Sequence, residues 1–231
     1  QEMSSIAGTS LMEHGRRRWW VLLITCVPLF MMMLDVTIVN IALPDIIKGF
    51  NTGLSSVEWV LNAYILTFAV LLITLGKLGD LYGRKLLFLG GLGLFTISSL
   101  ACGLAPNITL LIVARVFQAI GGAAMMPATL SILNIAFGDR RGMALGIWGA
   151  VAGVASALGP IIGGALVDAY SWRWIFLINL PVGVIAFIAA IIIIRESRDP
   201  STERNIDIPG ILAISAALFC LTYALVEGQK Y

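Results

Sequence analysis

The chain has 231 residues, 59% of them hydrophobic and 12% charged, with a formal charge of +2 and a mean hydropathy of +0.95. A soluble domain carries about 25% charged residues, so this chain has too little polar surface to coat a globule and reads as an integral membrane protein. The small charge is spread over connecting segments, which excludes nucleic acid as the expected partner.

Residues 1–15 are short and polar and read as a disordered tail. Arg16-Arg17-Arg18 and the apolar run behind them imitate a signal peptide, but the run over 19–43 is too long for a signal core. No small-residue cleavage pattern follows, so this run is the first, uncleaved span. Further apolar runs cover 57–75, 86–105, 108–137, 143–167, 172–194 and 208–226. The runs over 57–75 and 86–105 are each close to the ~20 residues that cross a bilayer as a helix. None alternates as a membrane strand does. Residues 195–207 differ in character, with seven charges and Pro200, and read as a linker. The expected organisation is therefore a six-helix bundle over 16–194, a cytoplasmic linker over 195–207, and a seventh helix with a truncated end over 208–231.

Lys and Arg placement gives the orientation. With a cytoplasmic amino terminus, that side holds eleven basic residues: Arg16, Arg17, Arg18, Lys77, Arg84, Lys85, Arg140, Arg141, Arg195, Arg198 and Arg204. The opposite side holds Lys48, Arg173 and Lys230. The expected location is the cytoplasmic (inner) membrane, multi-pass. Cys26, Cys102 and Cys220 fall inside apolar runs without paired spacing, which argues against disulfides or a zinc site and leaves them as packing residues. Met31-Met32-Met33 and Met125-Met126 read as adaptable packing surface.

Two internal matches point to a repeat. Ile38-Val39-Asn40-Ile41-Ala42-Leu43-Pro44-Asp45 is echoed by Ile132-Leu133-Asn134-Ile135-Ala136-Phe137-Gly138-Asp139, and Gly76-x-Leu78-x-Asp80-x-Tyr82 by Gly164-x-Leu166-x-Asp168-x-Tyr170. They close spans one and four, then two and five. A three-helix unit used twice must face opposite ways across the membrane, because three is odd.

Charges inside spans cost roughly 2.5–3.5 kcal/mol each on insertion scales, so they need a reason. Asp35 and Arg115 lie in spans one and four, each roughly 10–12 Å below the same end at ~1.5 Å rise per residue. They sit on the first helices of the two repeat units, which symmetry turns toward one cavity. One reading is a protonatable carboxylate tuned by a fixed positive charge. The other is a structural ion pair that holds two helices together. Gln118 shares a face with Arg115 and is placed to satisfy its donors. Asn40, Asn62 and Gln118 are the cavity-lining candidates. Gly159 and Gly163 form a small-xxx-small face beside the helix-kinking Pro160.

Gly76-Lys77-Leu78-Gly79-Asp80-Leu81-Tyr82-Gly83-Arg84-Lys85 reads as a tight charged turn between spans two and three. It resembles the signature loop of the major facilitator superfamily. Leu34-Asp35-Val36-Thr37 through Pro44 is similar to the span-one motif of its fourteen-span drug:proton antiporters. Arg115-x-x-Gln118 with Gly121 resembles their span-four motif, with Ala119 where glycine is usual. Gly159-Pro160-x-x-Gly163-Gly164 resembles their antiporter motif, with Ala155 replacing an earlier glycine. Trp172-Arg173-Trp174-Ile175-Phe176-x-x-Asn179-x-Pro181 fits the start of their sixth span.

The resemblance covers nearly all of 16–231. It implies an all-α half-transporter of two inverted three-helix repeats plus one further helix, and export of amphipathic compounds by alternating access. The proton gradient is then the energy source and no cofactor or metal is expected. Asp35 and Arg115 would couple protons, Gly76, Asp80, Gly83 and Arg84 would form a conformational latch, and Gly159, Pro160, Gly163 and Gly164 the antiporter motif. Expected partners are small amphipathic substrates, cationic ones among them, membrane lipids and the carboxy-terminal half of the same transporter. Members that handle divalent organic cations can carry an acid where this chain has Asn62, which argues against dications. No nucleotide loop, nucleophile constellation or metal spacing points to an enzyme. Two alternatives stay open: a metabolite transporter of the same superfamily, and a truncated, transport-inactive half-protein.

Overall fold

Apolar runs with no water to satisfy their backbones must form helices, and the structure is built from little else. The computed structural model describes residues 2–197 and 208–227. Gln1, residues 198–207 of the expected linker and residues 228–231 lie outside the described residues. In chain order the elements are α1 (Glu2–Phe50), α2 (Leu54–Tyr82), α3 (Arg84–Gly103), α4 (Ile108–Phe137), a 3₁₀ turn (Gly138–Arg140), α5 (Arg141–Ala169), α6 (Trp174–Leu177), α7 (Asn179–Ile193) and α8 (Ile208–Glu227). No strand occurs among the described residues.

Among the described residues, five stretches are long and apolar enough to cross a membrane by length and composition. One of them, Ile108–Ala169, folds as two helices, because Gly138 takes a φ of 49° and ends α4. The other caps are equally local. Asn51, at φ 48°, closes α1 with Thr52 N–H donating to the Ile47 carbonyl at 3.2 Å and Asn51 N–H to Lys48 at 3.3 Å. That is a Schellman arrangement with Asn in the left-handed position. Asn107 caps α4, its side chain accepting from Leu110 N–H at 2.9 Å.

Side-chain contacts give the directions. Along α1, Leu22 and Cys26 lie with Ala144, Ile38 with Gly163, and Phe50 with Trp172, so α1 and α5 run parallel. Trp19 meets Phe137, so α4 runs against α1. Val57 clusters with Leu111 and Gly76 sits against Pro127, so α2 runs along α4. The first helix of each unit thus lies along the second helix of the other: α1 on α5, α4 on α2. This exchange is what two inverted three-helix repeats produce. Helix α8 packs on α2.

Three expectations are corrected. Residues 2–15 are helical rather than a disordered tail, since the segment contains no proline and lengthening an existing helix costs far less than nucleating one. The expected turn over 76–85 is nearly all helix: α2 continues to Tyr82 and α3 starts at Arg84, leaving Gly83 alone outside, at φ 124°. Helical hydrogen bonds satisfy this backbone near the bilayer better than an open loop. The sixth span is divided into α6 and α7 at Ile178, because Pro181 has no N–H to donate to the preceding turn.

The interior is layered. One apolar cluster gathers Met31, Met32, Phe88, Leu92, Phe95, Ala119 and Met125. A second gathers Ile38, Ala42, Val57, Leu111, Ile175 and Phe176. Along α1, Asp35 falls between them, in a thin polar layer. Helices α3 and α4 approach to backbone contact beside the first cluster: a Cβ on Gly121 would lie 2.6 Å from the Gly91 carbonyl oxygen. Elsewhere Ile97, Ile161, Ile185 and Ile192 point outward, as a lipid-facing surface requires.

Candidate functional site

The polar layer is built by residues from every helix of the bundle except α5. Asp35 comes from α1, and Arg115 and Gln118 from adjacent turns of α4. Ser99 and Cys102 come from α3, Tyr64 and the Val60 carbonyl from α2, Phe176 from α6 and Asn179 from α7. Asp35, Arg115 and Gln118 are each at most 1% exposed. Arg115 Nη1 donates to Asp35 Oδ2 and, at 2.7 Å, to Gln118 Oε1. Gln118 Nε2 donates to Asp35 Oδ1 at 3.0 Å, closing a triangle. Arg115 Nε reaches the Val60 carbonyl at 3.2 Å.

A relay extends the triangle across the bundle. Gln118 Nε2 lies 3.3 Å from Ser99 Oγ, which accepts from Asn179 Nδ2 at 3.0 Å and donates to the Phe176 carbonyl at 2.9 Å. Cys102 Sγ is 3.6 Å from Gln118 Oε1. The guanidinium lies over the Tyr64 ring, 4.1 Å from its centroid, with the Phe176 ring at 5.8 Å. Buried charges persist only when paired and hydrogen-bonded, and both oxygens of Asp35 are engaged. In this conformation the carboxylate is therefore closed to water.

The residues expected from sequence divide clearly. Asp35, Arg115 and Gln118 come together, and Gln118 satisfies guanidinium donors as expected. Asn40 stays apart, exposed, its amide turned back to the Val36 carbonyl at 2.9 Å. Asn62 is half-buried and takes no part in the network. Gly159 and Gly163 meet Thr37 and Ile38 of α1, whereas Pro160 is exposed and Gly164 faces open space. The motif thus has one side packed within the bundle and one side free.

Around Gly83, Arg84 donates to Asp80 through Nη2 at 2.9 Å and Nε at 3.0 Å. A residue not anticipated, Glu196, caps α3: its oxygens accept from Lys85 N–H and Leu86 N–H, each at 3.1 Å. Lys85 Nζ reaches the Ile191 carbonyl at 2.6 Å, and Arg17 reaches the Ile193 carbonyl at 2.8 Å. The end of α7 is thereby tied to α1 at Arg17 and to the start of α3. Tyr64, Ser99 and Asn179 were also not singled out for the charge network. Ser99, one of three hydroxyl residues with Thr96 and Ser98 in an apolar run and one turn from Cys102, was the available signal.

Residues 10–226 match the sequence model of the Major Facilitator Superfamily. The chain belongs to that superfamily. It is 40% identical, over all of its length and 43% of the relative's, to the tetracenomycin C resistance and export protein of Streptomyces glaucescens. It is 37% identical, over 92% of its length and 47% of the relative's, to the riboflavin transporter RibZ of Clostridioides difficile. A crystal structure of the peptide transporter POT in complex with sulfate superposes with a TM-score of 0.70, over 94% of this chain and 47% of that one. At 14% identity that likeness concerns the fold. The chain spans about half the length of the relatives it matches, one named as an export protein and the other as a transporter.

Proposed function

We propose that the complete protein is a secondary active exporter, coupling the outward movement of small amphipathic compounds to inward proton movement across the cytoplasmic membrane, with its amino terminus inside. The observation that carries this reading is the Asp35–Arg115 pair. It is the polar centre of the half, and it links the first helices of the two inverted units, one place where access can alternate by motion of one unit against the other. Opening the α1–α4 contact would separate the pair and admit water to Asp35; closing it would return the carboxylate to Arg115 and Gln118. No cofactor enters the cycle.

The partner half has a place to dock. Gly142, Gly146, Gly149 and Gly153 on α5 have nothing within 4 Å of where a Cβ would stand, and Pro160 and Gly164 continue that free side. Small residues permit close helix approach. Asp80 and Arg84, at the end of α2 and the start of α3, would meet helix ends of the second half when the inner gate is shut. The test of coupling is transport by the full-length protein in liposomes with an imposed pH gradient. Substrate efflux with simultaneous proton entry supports antiport; efflux indifferent to the gradient overturns it.

A second reading is carried by the riboflavin transporter relative: transport of a metabolite through the same fold. Labelled riboflavin and an amphipathic drug, compared in the same vesicles, distinguish the two.

A further inference from the structure

A cleft of about 300 Å³ opens where the Arg17, Arg18 and Val21 stretch of α1 meets the end of α4 and the segment after α7. Its lining includes three guanidinium groups, Arg17, Arg18 and Arg195, and one carboxylate, Glu196. Glu196 is already committed, since it accepts the N–H groups of Lys85, Leu86 and Ser197. Arg17 spends Nε and one terminal nitrogen on the Ile193 carbonyl. Arg18 differs: its Nε is buried and has no hydrogen-bond partner among the described residues. A buried donor without an acceptor is destabilising, and a guanidinium matches the oxygens of a phosphate group better than any other side chain does.

Apart from Ser197 the remaining walls are apolar, among them Val21, Ile132 and Ile135. Trp19 and Trp20, on the adjoining turn of α1, are 45% and 53% exposed. Exposed tryptophans of this kind mark the headgroup level of a membrane. The volume is about ten times a water's share of liquid, ~30 Å³, so a phosphate ester fits where single waters would be loosely held. We propose that this cleft is a binding site for a phosphate monoester or diester anion, held by Arg18 and Arg195 with Arg17 beside them. The apolar walls and the flanking tryptophans favour a source in the membrane, the phosphodiester of an anionic lipid, over a soluble phosphate ester. The site lies apart from the Asp35–Arg115 layer and does not depend on the coupling mechanism.

The test uses the full-length transporter in neutral detergent, titrated separately with dioleoyl-phosphatidylglycerol, dioleoyl-phosphatidylcholine and glycerol 3-phosphate, and read by native mass spectrometry and thermal stability. Saturable binding of phosphatidylglycerol above phosphatidylcholine is expected. Arg18→Ala and Arg195→Ala should each weaken it about fivefold, the loss for one basic side chain near a lipid surface. Arg18→Lys keeps the charge but removes Nε and should lie between, which guards against misfolding of the alanine variant. Lys48→Ala, at the other end of α1, should leave binding unchanged. Equal binding of glycerol 3-phosphate would assign the cleft to a soluble phosphate ester; its failure beside bound phosphatidylglycerol assigns it to lipid. The proposal is overturned if the two lipids bind alike and glycerol 3-phosphate does not bind, or if Arg18 and Arg195 variants bind as the parent does.

Discussion

Arg115 on α4 is salt-bridged to Asp35 on α1, eighty residues away in sequence, and neither side chain is more than 1% exposed. The pair stands between two apolar clusters, so each charge depends on the other. Asp35→Asn in the full-length protein keeps an acceptor for Gln118 but leaves a buried guanidinium without its counter-charge. Breaking one side of such a pair costs about 3–5 kcal/mol. Folding yield should fall, and the protein that does fold should lose pH-gradient-driven efflux at least tenfold. Transport normalised to folded protein checks this, and undiminished gradient-dependent export would remove Asp35 from the coupling step.

Arg115 separates a coupling role from a purely structural one. Arg115→Lys keeps the charge but not the fork that spans Asp35, Gln118 and the Val60 carbonyl, so partial transport should survive. Arg115→Ala should destabilise by a similar few kcal/mol and move the midpoint of the pH–activity profile. A lower yield with an unmoved midpoint would make Arg115 a packing residue only.

Asp80→Asn weakens the i,i+4 pair with Arg84 at the α2–α3 junction, far along α2 from the polar layer. Turnover should slow severalfold while substrate affinity barely changes. Separate measurement of binding and of transport rate decides this, and lost binding with unchanged turnover would contradict the latch.

Gly159 tests the α1–α5 seam. An added Cβ would collide with the Thr37 hydroxyl and lie 2.6 Å from Thr37 Cβ. Gly159→Ala should destabilise by about 1–3 kcal/mol, the usual cost of overpacking. Thr37→Ala removes the nearest obstructing atom, so the double variant should recover part of the loss. A strictly additive pair would show that the two positions do not share this contact.

Glu196→Ala should loosen the start of α3. A helix cap is worth about 0.5–2 kcal/mol, and unfolding of the purified full-length protein reads the difference. Glu196→Gln, which retains an oxygen acceptor, should lose less.

Much of this was legible before any coordinates. The spans were readable because a bilayer demands long apolar runs, and the Asp35–Arg115 contact because equal depth on symmetry-related helices leaves few places for a buried charge to find a partner. What escaped was set by contacts between distant segments. Glu196 reads as one more linker charge until α3 is seen to begin beside it. Ser99 and Asn179 become a relay only once α3 and α7 are packed. The 76–85 segment was misread as a loop because its glycines and charges look like turn chemistry, whereas a helix tolerates Gly76 and Gly79 where close neighbours supply packing. Gly83 alone has a backbone that leaves the helix.

The polar layer also has an electrical consequence. While Asp35 is ionised, the two charges cancel and the layer sits in the membrane field as a local dipole. Protonating the carboxylate would uncover the full positive charge of Arg115 within a low-dielectric interior. A unit charge carried across the whole field is worth about 2.3 kcal/mol per 100 mV, and a layer that moves through part of it feels that fraction. Under the coupling proposed above, the proton-loaded layer would then respond to voltage, and the proton-free layer would not.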